Sequence, residues 1–81
     1  MLKVSIRQIK AARALLDWSQ GHLAEASEVS IPTIKRLEAG DGTLGGRRDT
    51  GARLISALEA AGVEFIDGNG GGAGVRLRIR H

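Results

Sequence analysis

The chain has 81 residues, enough for one small domain, and its net charge of +3 permits a polyanionic partner without requiring one. The absence of cysteine excludes disulfides, thiolate metal sites and cysteine nucleophiles. No stretch approaches the roughly 20 apolar residues that span a membrane, and no cleavable signal pattern is visible, so we expect a cytoplasmic protein with no membrane partner.

The first predicted helix spans residues 6–17. Its apolar residues recur at helical spacing within an alanine-rich segment, at Ile6, Ile9, Ala12 and Leu16. Ser5 and Gln8 have the spacing of a capping box, in which each side chain accepts the other residue's backbone N–H. The helix is therefore expected to begin directly after Ser5.

Two short helices are predicted next, over residues 20–26 and 31–38, with a tight turn between them. Ser19 and Ser30 stand at their N-cap positions. Pro32 falls in the first turn of the second of these helices, where a missing N–H is tolerated. Two short helices joined by a tight turn and packed on a longer first helix form a helix-turn-helix arrangement.

A fourth helix and a β-hairpin are predicted after the glycine-rich loop 40–50. Asp49 or Thr50 is the expected cap of the helix, which ends near Ala61. The last segment alternates strictly, with Val75, Leu77 and Ile79 on one face and Arg76, Arg78 and Arg80 on the other. We expect this strand to pair with residues 63–67. The predicted fold is mainly α, with four helices and a C-terminal β-hairpin.

The outward side of the third helix carries no acidic residue. At about 100° per residue, this side holds Ile31, Pro32, Lys35 and Arg36. Arg36 is the expected base reader, because a guanidinium can donate two hydrogen bonds to guanine. Ile31 and Pro32 can contact a thymine methyl. Ile31 is spaced equally well for the core, three residues before Ile34.

Residues 19–40 resemble the DNA-binding core of the lambda-repressor-like family, also named the Cro type or xenobiotic-response-element type. The residues that carry the resemblance are Ser19, Gln20, Leu23, Ala24, Val29, Ser30, Ile34, Leu37, Glu38 and Gly40. The likeness extends from about residue 6 to residue 61. It implies a helix-turn-helix domain over residues 1–62. The hairpin over 63–81 lies outside the common family core, and we expect it to extend the same domain for dimerisation or for contact with the DNA backbone.

The resemblance also implies roles for individual residues. Positions matching Ile31, Pro32 and Arg36 reach base edges in the family. The expected contacts to the DNA backbone are Gln20, Ser30, Thr33, Lys35, Arg47 and Arg48. Arg13 is expected to form a structural ion pair with Glu38. Glu28 departs from the family, which usually has glycine there because the backbone is left-handed.

The alternating C-terminal strand has three interpretations. Its arginines can protect a sheet edge from aggregation, or they can contact DNA phosphates. The strand can also pair with the same strand of a second subunit, with Val75, Leu77 and Ile79 packing on the helices, and we favour dimerisation through this segment.

The sequence as a whole predicts a non-enzymatic regulator that binds specific double-stranded DNA. We expect a repressor that binds an inverted-repeat operator as a homodimer and needs no cofactor. The glycine run before the last strand does not predict a nucleotide site, because no helix follows it, and His22 with Glu25 is too few ligands for a metal. The alternative is a protein-interaction adaptor, such as an antitoxin or antiactivator, with the hairpin as its surface for a protein partner.

Overall fold

The computed structural model describes residues 4–40, 48–68 and 71–78. Within these ranges the elements follow one another as α1 (Ile6–Leu16), α2 (Gln20–Ser27), α3 (Ile31–Glu38), α4 (Arg48–Ala60), β1 (Val63–Ile66) and β2 (Gly74–Leu77). The mainly helical fold with a C-terminal hairpin is therefore confirmed. None of the helices in this part of the chain is long and apolar enough to cross a membrane.

Serine side chains begin the first three helices, as predicted. Ser5 Oγ accepts the N–H of Gln8 at 3.1 Å, and Gln8 Oε1 accepts the N–H of Ser5 at 2.9 Å, which completes the capping box. Ser19 and Ser30 cap α2 and α3 in the same way, each accepting the N–H three residues on. These bonds satisfy N–H groups that have no partner within the helix.

The fourth helix begins earlier than predicted. It starts at Arg48, so Asp49 and Thr50 lie inside its first turn and neither is its cap. Asp49 instead faces Arg53 one turn on, with 3.7 Å between Oδ2 and Nε. Acidic residues are stabilised anywhere in a first turn by the helix dipole, so an aspartate marks the beginning of a helix only approximately. The preceding loop at 41–47 lies outside the described residues.

The turn between α2 and α3 contains a left-handed residue. Glu28 has φ 62° and ψ 28°, and its N–H closes α2 by donating to the carbonyl of Ala24 at 2.9 Å. This is the conformation for which the family usually has glycine, and a glutamate there costs roughly 1 kcal/mol. The turn therefore keeps the expected left-handed geometry although its residue is glutamate and not glycine.

Helices and hairpin share one hydrophobic core. Its largest fully buried side chains are Ile9, Leu23, Ile34, Leu54, Leu58 and Val63. Phe65 of β1 is also buried, and Val75 of β2 packs against the same cluster. The hairpin therefore completes the core of the helical part of the chain.

The two strands are antiparallel, with Val63 opposite Leu77 and Phe65 opposite Val75. Opposite residues in an antiparallel pair lie on the same face. The two β1 residues are buried and Val75 is half-buried, whereas Leu77 at the strand end is 43% exposed. The alternation read from the sequence thus gives an inner apolar face whose last described residue remains in contact with solvent. Ile79 lies outside the described residues.

Gln8 joins the first helix to the end of the hairpin. Its Nε2 donates to the carbonyl oxygens of Ile66 at 3.1 Å and Gly74 at 2.9 Å, while its Oε1 accepts from Ser5. The residue is only 5% exposed. All the polar atoms of this buried amide therefore have partners, as burial requires.

Gln8→Glu is expected to lower the free energy of unfolding by about 1–3 kcal/mol. The carboxylate keeps an acceptor for Ser5 but loses both donors and faces two carbonyl oxygens. Urea titration at neutral pH measures the effect, with hydrogen exchange locating the first loss of protection in the hairpin. Ala11→Glu adds the same charge at an exposed position of α1, and an equal loss in that control would contradict the assignment.

Candidate nucleic-acid interface

The third helix divides into a buried side and an exposed side. Ile34 is fully buried and Glu38 is 7% exposed. The exposed side consists of Ile31, Pro32, Lys35 and Arg36. Ile31 is 41% exposed, so the interpretation of it as a core residue is wrong. The structure thus places all three predicted base readers on a surface with two cations and no acid.

The first turn of α2 lies beside the start of α3. A Cβ atom added to Gly21 would sit 3.8 Å from Ile31 Cδ1, which is ordinary van der Waals contact. The N–H groups that begin a helix attract anions. The N-terminal end of α2, which attracts anions, is therefore next to the exposed side of α3. A duplex presents phosphates and base edges side by side, so both surfaces can meet it together.

Ser30 and Thr33 are joined at the start of α3. The Ser30 hydroxyl donates to Thr33 Oγ1 at 2.8 Å and accepts the Thr33 N–H at 3.4 Å. The single hydroxyl hydrogen of Ser30 is thus used within the protein, whereas the Thr33 hydroxyl keeps its own hydrogen for donation. Of these two predicted backbone contacts, Thr33 is the better placed donor to a phosphate.

Arg13 and Glu38 meet beneath the exposed helix face. Arg13 Nε donates to Glu38 Oε2 at 2.8 Å, and Nη2 donates to Oε1 at 2.6 Å. Arg13 Nη1 donates to the carbonyl of Trp18 at 2.9 Å. The side chains are 20% and 5% exposed, respectively. This bidentate pair ties α1 and the segment before α2 to the end of α3.

The Glu38 carboxylate has a further partner in Gln20, whose Nε2 donates to Oε1 at 2.9 Å. Lys10 Nζ donates to the backbone carbonyl of Glu38 at 3.4 Å. Burial alone raises the pKa of the Glu38 carboxyl, but the hydrogen bonds from Arg13 and Gln20 and the nearby cationic charges together hold this pKa below its ordinary value. The bond to Glu38 raises the pKa of Arg13. Both groups are therefore charged at neutral pH.

The side chains of the two predicted backbone contacts before α4 lie outside the described part of the chain. Arg47 lies outside the described residues, and Arg48 is the first residue of α4. In the hairpin, Arg76 Nε lies 2.5 Å from Glu64 Oε1, and Arg78 Nη2 donates to the carbonyl of Glu59 at 2.9 Å. Arg76 of β2 and Arg78 directly after this strand thus have partners within the protein.

Sequence reasoning missed two contacts of α2. Trp18 and His22 stack with ring centroids 4.2 Å apart and planes 15° from parallel. Residues four apart can stack on one face of a helix. Trp18, however, precedes the N-cap of α2 and His22 follows it, so helical spacing did not predict their contact. The bond from Gln20 to Glu38 had no local signal, because 18 residues separate the two. No group of three or more potential metal ligands occurs among the described residues.

Comparison with known protein families identifies the family to which this arrangement of helices belongs. The family described as helix-turn-helix matches residues 9–48, which include most of α1 and all of α2 and α3. No curated protein matches the chain. The matched family is a DNA-binding regulatory domain. Residues 9–48 of the chain thus form a helix-turn-helix of the lambda-repressor-like family.

Proposed function

We propose that the protein is a transcriptional repressor that binds an inverted-repeat DNA operator as a homodimer. The observation that carries this proposal is the exposed side of α3, which holds two cations and two compact apolar residues and no acid. Its opposite side is anchored by buried Ile34 and by the ion pair of Glu38. A helix held this firmly can present the same side chains to every operator.

The proposed docking places α3 in the major groove. An α-helix with its side chains is about 10–12 Å across, and the major groove is about 12 Å wide, so the eight-residue helix fits between the strands. Arg36 reads guanine, while Ile31 and Pro32 contact thymine methyl groups. The proposed contacts to the DNA backbone are Gln20, Ser30, Thr33, Lys35, Arg47 and Arg48, which set the register of the helix on the duplex.

A dimer is proposed because one module of this size buries too little DNA surface for strong specificity, about 600–1,000 Å². Two-fold symmetry would place the recognition helices about 34 Å apart, one turn of the duplex. The proposed interface is the end of β2, where Leu77 is 43% exposed on the apolar face of the hairpin. Val75 and Ile79 belong to the same alternating face.

Leu77→Lys is expected to convert the dimer into a monomer by light scattering. The exposed leucine loses the apolar area that would be buried between subunits, while the monomer loses little. Ile66→Lys is the matched control, because Ile66 is 37% exposed on the opposite face of the same hairpin. A Leu77→Lys protein that remains dimeric, or a control that dissociates equally, argues against this interface.

Selection of bound duplexes from a random pool tests the function directly. At low salt, the full chain is expected to enrich two half-sites of inverted sequence with centres about 10 base pairs apart. Repression requires only that the site be occupied, so a reporter whose promoter overlaps the selected site should lose expression when the chain is produced. Failure to enrich any sequence would overturn the proposal.

A further inference from the structure

Glu38 does more than pair with Arg13. Its Oε1 receives hydrogen bonds from two different helices, at 2.6 Å from Arg13 and 2.9 Å from Gln20. The second carboxylate oxygen is held by Arg13 Nε at 2.8 Å. Because both oxygens are held and the side chain is 5% exposed, the carboxylate offers Gln20 an acceptor in a fixed place.

Gln20 is only half-buried, at the first position of α2. Its Nε2 carries two hydrogens, and one of them is directed to Glu38. In a planar amide the other hydrogen points away from the first. The adjacent Gly21 lies against Ile31, so this part of α2 borders the exposed side of α3.

We propose that Glu38 is a positioning residue for DNA binding, which holds the side chain of Gln20 so that its second amide hydrogen is presented to a backbone phosphate. This inference rests on the proposed DNA-binding function. The buried carboxylate of Glu38 would then have two roles. It binds Arg13, which holds α3 in place, and it orients the side chain of Gln20 on α2.

The benefit for binding is entropic. A free glutamine side chain has several rotamers, and each complex must select one of them. Ordering a rotamer-rich side chain before the partner arrives removes a cost that corresponds to about two- to tenfold in affinity. The carboxylate itself is negative, so its position beside a phosphate contact would be unfavourable without Arg13 to neutralise it.

The test compares Glu38→Gln with Glu25→Gln, using a duplex recovered by selection with the unchanged chain. Each substitution removes one negative charge, and Glu25 is an exposed residue of α2. Charge alone predicts that both variants bind DNA more tightly. If Glu38 positions Gln20, Glu25→Gln should bind DNA slightly more tightly, whereas Glu38→Gln should bind DNA about two- to tenfold more weakly.

A double-mutant cycle connects the effect to Gln20. Gln20→Ala is expected to weaken binding in the unchanged background and to have a smaller effect in the Glu38→Gln background, because the contact is already misdirected. Additive effects would overturn the proposal. Circular dichroism of each variant establishes that the compared proteins are folded at the temperature of the measurement.

NMR of the unchanged chain decides the matter even if Glu38→Gln does not fold. One Nε2 proton of Gln20 is expected to resonate as a hydrogen-bonded proton without DNA, and the other should shift when the duplex is added. Two Nε2 protons with the shifts of a solvent-exposed glutamine would overturn the proposal. If Arg36→Ala alters base preference while Glu38→Gln behaves like Glu25→Gln, the positioning role fails and the DNA-binding function stands.

Discussion

Arg13→Met is expected to lower the free energy of unfolding by about 3 kcal/mol, as removal of one partner from a buried ion pair does. Methionine keeps an unbranched apolar stem, so the main loss is electrostatic. Glu38 would remain buried at 7% exposure without its two guanidinium bonds, and the carbonyl of Trp18 would lose its donor. A domain of this size has a total stability of about 4–12 kcal/mol, so urea unfolding at pH 7 should show the change clearly.

The pH dependence gives this prediction a second measurement. In the unchanged protein the pKa of Glu38 is lowered, so its contribution to stability is complete above the ordinary value of 4.5 and is lost as the pH falls through the lowered value. In Arg13→Met, burial raises the pKa of the same carboxyl, and protonation relieves the penalty as the pH falls. The stability difference between the two proteins should therefore narrow in acid.

Arg53→Met is the matched control for this experiment. Arg53 and Asp49 are 3.7 Å apart one turn along α4, with side chains 51% and 76% exposed. Exposed pairs of this kind contribute about 0.3–0.5 kcal/mol. An equal cost in the two methionine variants, or a cost of Arg13→Met that does not change with pH, would show that the charge of Glu38 is not responsible.

Arg36→Ala is expected to relax base preference at one or two base pairs in each half-site. A bidentate arginine–guanine contact contributes about 1–3 kcal/mol of discrimination, or roughly 5- to 150-fold against a wrong base. Arg36 is exposed on α3, so its removal should leave the stability of the fold almost unchanged. Selection from a random duplex pool, run in parallel with the unchanged chain, measures the preference at each position.

Lys35→Ala separates base reading from electrostatics. It removes one positive charge from the neighbouring exposed position of the same helix. A lysine on a phosphate should weaken all sequences alike and reduce the slope of log affinity against log salt by about 1. An Arg36→Ala protein that selects the same motif as the unchanged chain would show that another side chain reads the base.

The sequence predicted the helical part of the fold well because the signals there are local. Ser5, Ser19 and Ser30 each bond an N–H three residues on, so a few adjacent residues contain the information for each helix start. The start of α4 was predicted wrongly, since Asp49 stabilises a first turn from inside it as well as a cap would from outside.

Helical periodicity predicted the site only on its exposed side, whereas the pair of Arg13 and Glu38 beneath it was expected from the family resemblance. The outward position of Pro32, Lys35 and Arg36 follows from helical periodicity within a single eight-residue element. The bond from Gln20 to Glu38 could not be predicted, because it depends on the crossing of α2 and α3. Periodicity indicates which side of a helix is buried, but it does not indicate which buried polar groups meet.

The Gln8 amide also bears on how the chain folds during its synthesis on the ribosome. Its two hairpin partners follow it by 58 and 66 residues. At a translation rate of about 5–20 residues per second, the last of them is added roughly 3–13 s after Gln8 itself. Until then the amide of Gln8 lacks both its acceptors and the hairpin against which it lies in the folded domain, and its donors can bond only to water. Folding of the domain is therefore expected to be completed only after the residues of the hairpin have been synthesised.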